Sequence, residues 1–396
     1  MQYRKDKYGN ELSVLGFGCM RFTQKNGRID IDKAEKELLA AYKRGVNYYD
    51  TAYIYPGSEA AIGEIFERNQ IRDKINIATK LPHYMVKSLK DLDKYFDEQL
   101  RRLRTDHVDY YLMHMLNDDK SWKRLCDLGI EDWISRQKEV GRIRQIGFSY
   151  HGNSDVFCRL IDAYDWDFCQ VQYNYLDENS QAGRTGVQYA ASKGIPVVIM
   201  EPLRGGKLVN KLPEKAKKQF ETYNAAHQLT WSPAEWSFRW LWNQPEVTVV
   251  LSGMNSLRMV KENARSASSA RAGALGRQEL DLLQDVIKTI RSTEKVGCTG
   301  CRYCMPCPRN VDIPGTFASY NSRYSDGFFN AQKEYMMCTI MRKDHTSASN
   351  CIECGKCELH CPQGIPIRQE LKNARKVLEG PIYQVAKRVV PLVIKY

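Results

Sequence analysis

The stretch VDYYLMH, residues 108–114, is an apolar run of strand length that stops on a titratable side chain, His114. A run this short, rich in aromatic and branched residues, reads as a buried strand. Working outward from it, the chain up to about residue 290 repeats one unit: short apolar run, polar loop, amphipathic helical segment. Seven further runs keep the rhythm, at residues 14–18, 47–52, 76–81, 145–149, 168–173, 196–201 and 248–252.

Local signals place helices between them. Residues 32–35, DKAE, read as a capping box that opens a helix with Leu38, Leu39 and Tyr42 on one face, ended by Gly45. Leu89, Leu92, Phe96, Leu100 and Leu103 recur at helical spacing. Ser232 as N-cap, Pro233 at the first helical position and Glu235 at the third predict a helix over residues 232–243. Eight strands, each followed by a helix, define an α/β fold of the (β/α)₈ barrel type over residues 1–290. The competing doubly wound sheet needs G-x-G-x-x-G after its first strand. Here Gly16-Phe17-Gly18-Cys19-Met20-Arg21 lacks the third glycine and reads as a tight strand exit.

The chain has 396 residues and 13 cysteines, nine of them crowded between Cys298 and Cys361, which marks a second, smaller domain over residues 291–396. The opening residues are polar, with no apolar leader, and no stretch nears the roughly 18 apolar residues of a membrane span. The expectation is therefore a cytoplasmic protein whose clustered thiols are metal ligands rather than disulfides. The formal charge of +12 comes from basic residues mixed with acidic ones, without a Lys/Arg block, so nucleic acid is not an expected partner. Two 4Fe-4S clusters would lower that charge to about +8, a basic surface suited to an acidic electron-carrier protein or an anionic substrate.

Barrel chemistry sits at the C-terminal ends of the strands. Strand two ends at Asp50 and leads to Tyr55, strand three ends at Lys80, strand four at His114, strand five at Ser149, and strand six carries Gln170, Gln172 and Asn174. Singly, each has a plain structural reading: a cap, a solvated lysine, a satisfied core histidine. Together they converge on one mouth of one barrel. There a Lys80 ammonium favours the Tyr55 phenolate and lowers the tyrosine pKa, while Asp50 keeps the lysine charged and oriented. Tyr55 and His114 are then placed to stabilise a substrate oxygen that gains negative charge.

With these residues in view, the first domain resembles the aldo-keto reductases, through DTAYIYPGSE (50–59), IATK (77–80), YYLMH (110–114), GFSYH (147–151), CQVQYN (169–174), EPLRGG (201–206) and LSGMNS…EN (251–263). The resemblance implies a catalytic tetrad of Asp50, Tyr55, Lys80 and His114. It implies NADP(H) or NAD(H) as cofactor, with Ser149 and Gln170 at the nicotinamide carboxamide. The region from Ser252 to Asn263, including Arg258 and Glu262, falls at the adenosine end. Two positions depart from the common family pattern: Tyr150 stands where Asn is frequent, and Met200 where a tyrosine stacks on the nicotinamide. Arg258, Arg204 or Lys207 are the candidates to grip a 2′-phosphate.

The second domain reads CTGCRYCMPCP from Cys298 and CIECGKCELHCP from Cys351. The second run matches the bacterial ferredoxin pattern, in which three closely spaced thiolates hold one cubane and the fourth cysteine, before proline, serves the other. That pattern gives Cys298, Cys301 and Cys304 with Cys361, and Cys351, Cys354 and Cys357 with Cys307. Zinc modules separate two C-x-x-C pairs by a dozen or more residues, unlike these two unbroken runs. Cys338 reads as a buried thiol.

The leading expectation is an NAD(P)H-dependent reductase of an aldehyde or ketone, sugar-like substrates among them, with Tyr55 as general acid. A second is an electron-transfer or redox-sensing subunit whose barrel binds nucleotide without turnover. A third is a ferredoxin-driven reductase with a bound flavin, although no flavin motif is evident.

Overall fold

Strands buried on both faces must be covered on both, and a closed barrel ringed by helices does this without leaving a sheet edge. A computed structural model describes residues 1–151, 154–179, 181–298, 300, 303–325, 327–340 and 345–393. The eight runs form a closed parallel barrel of β1 Leu15–Gly18, β2 Tyr48–Asp50, β3 Asn76–Leu81, β4 Val108–Met113, β5 Ile143–Tyr150, β6 Phe168–Gln172, β7 Val197–Met200 and β8 Val247–Ser252. Each strand pairs with its sequence neighbour, and β8 closes on β1 with Leu251 opposite Gly16.

The lumen is filled by Tyr48, Ala78, Tyr110, Leu112, Phe168, Val198, Val249 and Leu251. Tyr110 lies between Tyr48 and Phe168, with ring centres 5.0 and 5.1 Å away. Gly147 makes room for this layer: a Cβ there would stand 2.4 Å from the Phe168 carbonyl oxygen. The floor is an N-terminal hairpin, Tyr3–Lys5 against Glu11–Ser13, whose Leu12 joins the lumen cluster. In the hairpin turn the buried Asp6 carboxylate accepts from Tyr110 Oη at 2.7 Å, from the Asn10 amide at 2.8 Å and from Gln145 Nε2. The expected strand positions hold to within two residues.

The helices follow their caps. Ser232 accepts from the Glu235 amide at the head of Pro233–Trp242, as the sequence pattern predicts. Ser88 and Asp91 form a capping box for Leu89–Leu103, which buries Leu92, Phe96, Leu100 and Leu103 but leaves Leu89 exposed. One reading is corrected: the first helix, Ile31–Tyr42, is capped by Asp30, not Asp32. Asp30 has the extended backbone an N-cap requires and accepts from Lys33 N at 3.2 Å, which leaves Asp32 inside the first turn.

The described chain divides into two compact units, one of Met1–Val209 with Trp231–Gln278, the other of Asn210–Thr230 with Glu279–Tyr396. Residue 290, the expected boundary, thus falls within the helix Arg277–Thr293. Among its described residues the second unit is built of helices without strands. Its core gathers Val311, Phe317, Tyr335, Leu371, Leu378 and Tyr383, with seven cysteines packed on it. A buried polar link ties it: Tyr335 Oη donates to Glu379 Oε1 at 2.6 Å and accepts from the Ala348 amide at 2.8 Å. No helix among the described residues is long and apolar enough to cross a membrane.

Asp6→Ala leaves a phenol hydroxyl and an amide without their acceptor in the barrel floor. The expected loss is about 2–3 kcal/mol of unfolding free energy, read by urea denaturation; an unchanged midpoint would show that the hairpin is not a structural part of the floor.

Candidate active site

The side chains at the barrel mouth are held by loops with little freedom. Beyond β2 the chain turns through Tyr55, whose amide donates to the Ala52 carbonyl at 3.0 Å, into the helix Ser58–Arg68. Ser58 Oγ sits 2.7 Å from Thr51 Oγ1 and donates to the Cys19 carbonyl at 2.8 Å, so the Tyr55 loop is clamped at both ends.

Lys80, on β3, is 1% exposed. Its Nζ donates to Asp50 Oδ1 at 2.6 Å and to the Thr51 carbonyl at 2.7 Å. The same ammonium lies 5.3 Å from the centre of the Tyr55 ring, and the His114 ring meets Tyr55 edge-on with centres 6.1 Å apart. The structure thus brings Asp50, Tyr55, Lys80 and His114 together. Burial disfavours the Lys80 charge, but Asp50 and Tyr55 outweigh it, and the net effect holds the ammonium above its ordinary value.

The expectation for Tyr55 is corrected in direction. Burial pushes the phenol up; Lys80 pulls it down without cancelling that, and Asp50, Glu201 and Cys19 add to the rise. Sequence pairs the charges but does not weigh desolvation against them. Burial, with the neighbouring Lys80, His151 and His83, drives His114 down to about 3, so the imidazole is neutral across the physiological range. Its Nδ1 is buried without a hydrogen-bond partner among the described residues.

The other sequence candidates are distributed around this centre. Gln170 Nε2 donates to Asp50 Oδ2 at 2.7 Å, which makes Gln170 a support of the Lys80–Asp50 pair. Ser149 Oγ accepts from the Met115 amide at 2.8 Å. Met200 ends β7 and packs on the lumen cluster. Asn263 Nδ2 donates to Ser252 Oγ at 3.1 Å. Arg258 is paired with Glu262 at 2.7 Å on an exposed helix face, and Arg204 with Asp177 at 3.2 Å.

The sequence reading passed over Arg21, His83 and His151. Arg21 runs along Gly253, and its guanidinium lies 3.5 Å from where a Gly205 Cβ would be. Gly205, at φ +68°, keeps the loop after β7 bare beneath that cation. His151 Nδ1 lies 3.1 Å from Gln181 Oε1, and His83 Nε2 3.3 Å from the Met115 carbonyl. The signal for Arg21 was its place just past the first strand, read only as a strand exit.

In the second unit Cys298, Cys304 and Cys361 line one cavity with Phe317, Ile365 and Ile367. Cys307, Cys351, Cys354 and Cys357 line another with Arg309 and Arg368. Cys301 lies outside the described residues. The thiols of the second cavity feel one another: burial, Glu358 and the neighbouring Cys351 and Cys307 push Cys357 up to about 11. The Glu353 amide donates to Cys351 Sγ at 3.4 Å, the kind of bond that tunes a thiolate ligand. Cys338 lines neither cavity; its thiol donates to the Tyr335 carbonyl at 3.3 Å.

Residues 14–272 match the profile described as the Aldo/keto reductase family. The chain belongs to that family. Residues 297–365 of this aldo-keto reductase match a second profile, described as a 4Fe-4S dicluster domain. It is similar to L-galactose dehydrogenase of Arabidopsis thaliana, 24% identical over 72% of this chain and 93% of that one. It is also similar to the aldo-keto reductase yakc [NADP(+)] of Schizosaccharomyces pombe, 24% identical over 75% and 93%. Among solved structures, an aldo-keto reductase of Klebsiella pneumoniae in complex with NADPH aligns with a TM-score of 0.60 at 20% identity, over 72% of this chain and 96% of that one. A holo-form aldo-keto reductase of Bacillus halodurans aligns at 0.57 and 23%, over the same shares. These likenesses share the barrel fold.

The buried histidines give this aldo-keto reductase a pH dependence of defined sign. Burial holds His83 down to about 4 and His114 to about 3, below the ordinary imidazole value of 6.5. Protons therefore bind the unfolded chain first, and the stability present above pH 6.5 is lost as pH falls toward those values, by about 1.4 kcal/mol per pH unit for each histidine. A His83→Gln, His114→Gln variant should show a shallower fall of Tm from pH 6.5 to pH 4.5 than the parent; parallel curves would refute the assignment.

Proposed function

We propose that the barrel reduces an aldehyde or ketone with NADPH or NADH, with Tyr55 as proton donor, and that the second unit holds two 4Fe-4S clusters. One observation carries the reductase reading: a buried lysine, kept charged by a carboxylate at 2.6 Å, lies beside a buried phenol. Bound nicotinamide would supply a hydride to the carbonyl carbon. The chain does the rest. Burial keeps Tyr55 protonated until the substrate oxygen takes up charge, and Tyr55 Oη then passes its proton to that oxygen. The Lys80 ammonium steadies the phenolate left behind, and Asp50 holds the ammonium in place. Neutral His114 offers a ring N–H to the same oxygen, so the developing charge meets two donors in a site with little water.

The mouth fits a dinucleotide. The bare backbone at Gly205 and Gly253, with the Arg21 side chain laid along it, would leave room for an anion beside that cation. Ser149 and Gln170 would hold the carboxamide, Met200 would pack under the ring, and the segment from Ser252 to Asn263 would take the adenosine end. The Arg258–Glu262 pair is solvent-exposed and screened, which leaves the guanidinium open to competition from a 2′-phosphate. The NADP(+) and NADPH in the names of two similar proteins support NADPH as the first cofactor to assay, and the L-galactose dehydrogenase likeness supports sugar-type carbonyls as the first substrates.

The cysteine cavities fit iron-sulfur clusters by donor set: thiols line both, with no histidine or carboxylate among the described residues of either lining. The proposed ligands are Cys298, Cys301, Cys304 and Cys361 for one cubane, and Cys307, Cys351, Cys354 and Cys357 for the other. Such thiols need a reducing compartment, which supports a cytoplasmic location, and an electron-carrier protein is the natural partner.

Tyr55→Phe should lower carbonyl-dependent NADPH oxidation by about 10²–10⁴ while leaving NADPH binding, read by fluorescence quenching, unchanged. Full turnover in that variant would exclude Tyr55 as the acid. For the ligand sets, Cys298→Ala with Cys361→Ala removes ligands of one cluster and should keep about half the iron, whereas Cys298→Ala with Cys307→Ala strikes both and should lose nearly all. The reverse pattern in an iron assay would mean that each run serves its own cluster.

A further inference from the structure

The two cysteine cavities differ in the exposure of their thiols. Phe317, Ile365 and Ile367, all buried, wall the cavity of Cys298, Cys304 and Cys361. The other cavity is lined by Cys354, the exposed one among its cysteines. Beside it Ile352 is 59% exposed and Leu359, at the end of the short helix Lys356–Leu359, is 84% exposed. Two exposed aliphatic side chains on the segment that carries the exposed Cys354 give it an apolar character.

The rim of that patch is cationic. Arg309 and Arg368 line the cavity, and Lys356 and Lys372 are exposed close by in the same loop and the helix Ile367–Leu378. The local carboxylates are already engaged: Glu353 with Lys372 at 2.7 Å and Glu358 with Arg368 at 2.8 Å. Among the described residues, Arg309 and Lys356 have no carboxylate within ion-pair distance.

We propose that this face docks a small acidic one-electron carrier protein, which passes its electron to the cluster of Cys307, Cys351, Cys354 and Cys357. The proposal rests on the reading of the cavities as cluster sites. In the step the reduced carrier loses one electron and an oxidised cubane gains it; no bond forms or breaks and no proton moves. Ile313 lines both cavities, so one side chain is a shared wall across which the electron continues to the second cluster. A small apolar centre inside a charged rim is the anatomy of a weak, fast complex, in which charge steers the encounter and apolar contact aligns it.

The test uses the full chain, reconstituted with iron and sulfide under anaerobic conditions. Bleaching of the visible cluster absorbance is followed by stopped flow with two reductants: a reduced acidic plant-type ferredoxin and the methyl viologen radical cation. The variants are Lys356→Glu with Lys372→Glu, and Ile352→Ser with Leu359→Ser; iron content shows that each has folded. The expected result is a ferredoxin rate lower by on the order of tenfold in the charge-reversed variant, and lower in added salt for the parent, with the viologen rate nearly unchanged. A parent not reduced by ferredoxin, or a ferredoxin rate unchanged in both variants, overturns the proposal. A parent that takes up no iron overturns the cluster reading as well, and the missing absorbance tells that outcome from the first.

Discussion

The mouth of the barrel is organised around the ion pair between Lys80 and Asp50. Both groups are buried, and a buried charge is tolerated only if its partner and its remaining hydrogen-bond capacity are supplied in place. Here the ammonium has Asp50 and the Thr51 carbonyl, and the second carboxylate oxygen has the Gln170 amide. Asp50 lies on β2 and Gln170 on β6, four strands apart around the ring, so the last of these bonds spans the lumen. The pair is satisfied only when the barrel is closed and in register. Fold and site therefore make the same demand: the contact that steadies the buried lysine is also one that holds the far wall of the barrel.

The same burial sets the proton chemistry. Excluding water from Tyr55 raises its pKa more than Lys80 lowers it, so the resting site holds a neutral phenol beside a charged lysine. That combination suits a proton donor better than a resting phenolate would, because the proton is present when needed and the charge left behind already has its counterion. His114, held neutral by burial and by the nearby Lys80, adds a donor without a second positive charge competing for Asp50.

Much of this was legible in the sequence, and the part that was not has a common cause. Strand positions, the Ser232 cap and the four mouth residues depend on local pattern or on the shared geometry of strand ends, both of which a linear reading carries. Asp6 was invisible because its main partners, Tyr110 and Gln145, lie more than a hundred residues away. The cap was misplaced to Asp32 because DKAE imitates a box that Asp30 forms alone. The direction of the Tyr55 shift failed for another reason: desolvation and Coulomb attraction oppose each other there, and burial, which a linear reading does not measure, is the larger. The Gln170 bond to Asp50 went unread as well, since a side chain's residue type does not disclose which neighbour its amide will reach.

The two units work in different currencies, and this constrains how they can be joined. A nicotinamide gives up two electrons together as hydride, whereas a cubane accepts one at a time. Any transfer between them must pass through a centre able to hold the odd electron, such as a flavin, and neither Tyr55, Lys80 nor His114 is such a centre. Without that converter, the hydride chemistry of the mouth and the one-electron chemistry of the cysteine cavities run in parallel on one chain. The docking face would then report the redox state of a carrier to the second unit rather than feed the barrel. With it, the chain would couple a carrier's single electrons to a two-electron reduction. An anaerobic NADPH titration that does or does not bleach the clusters separates these two designs, because only the second lets nicotinamide electrons reach iron.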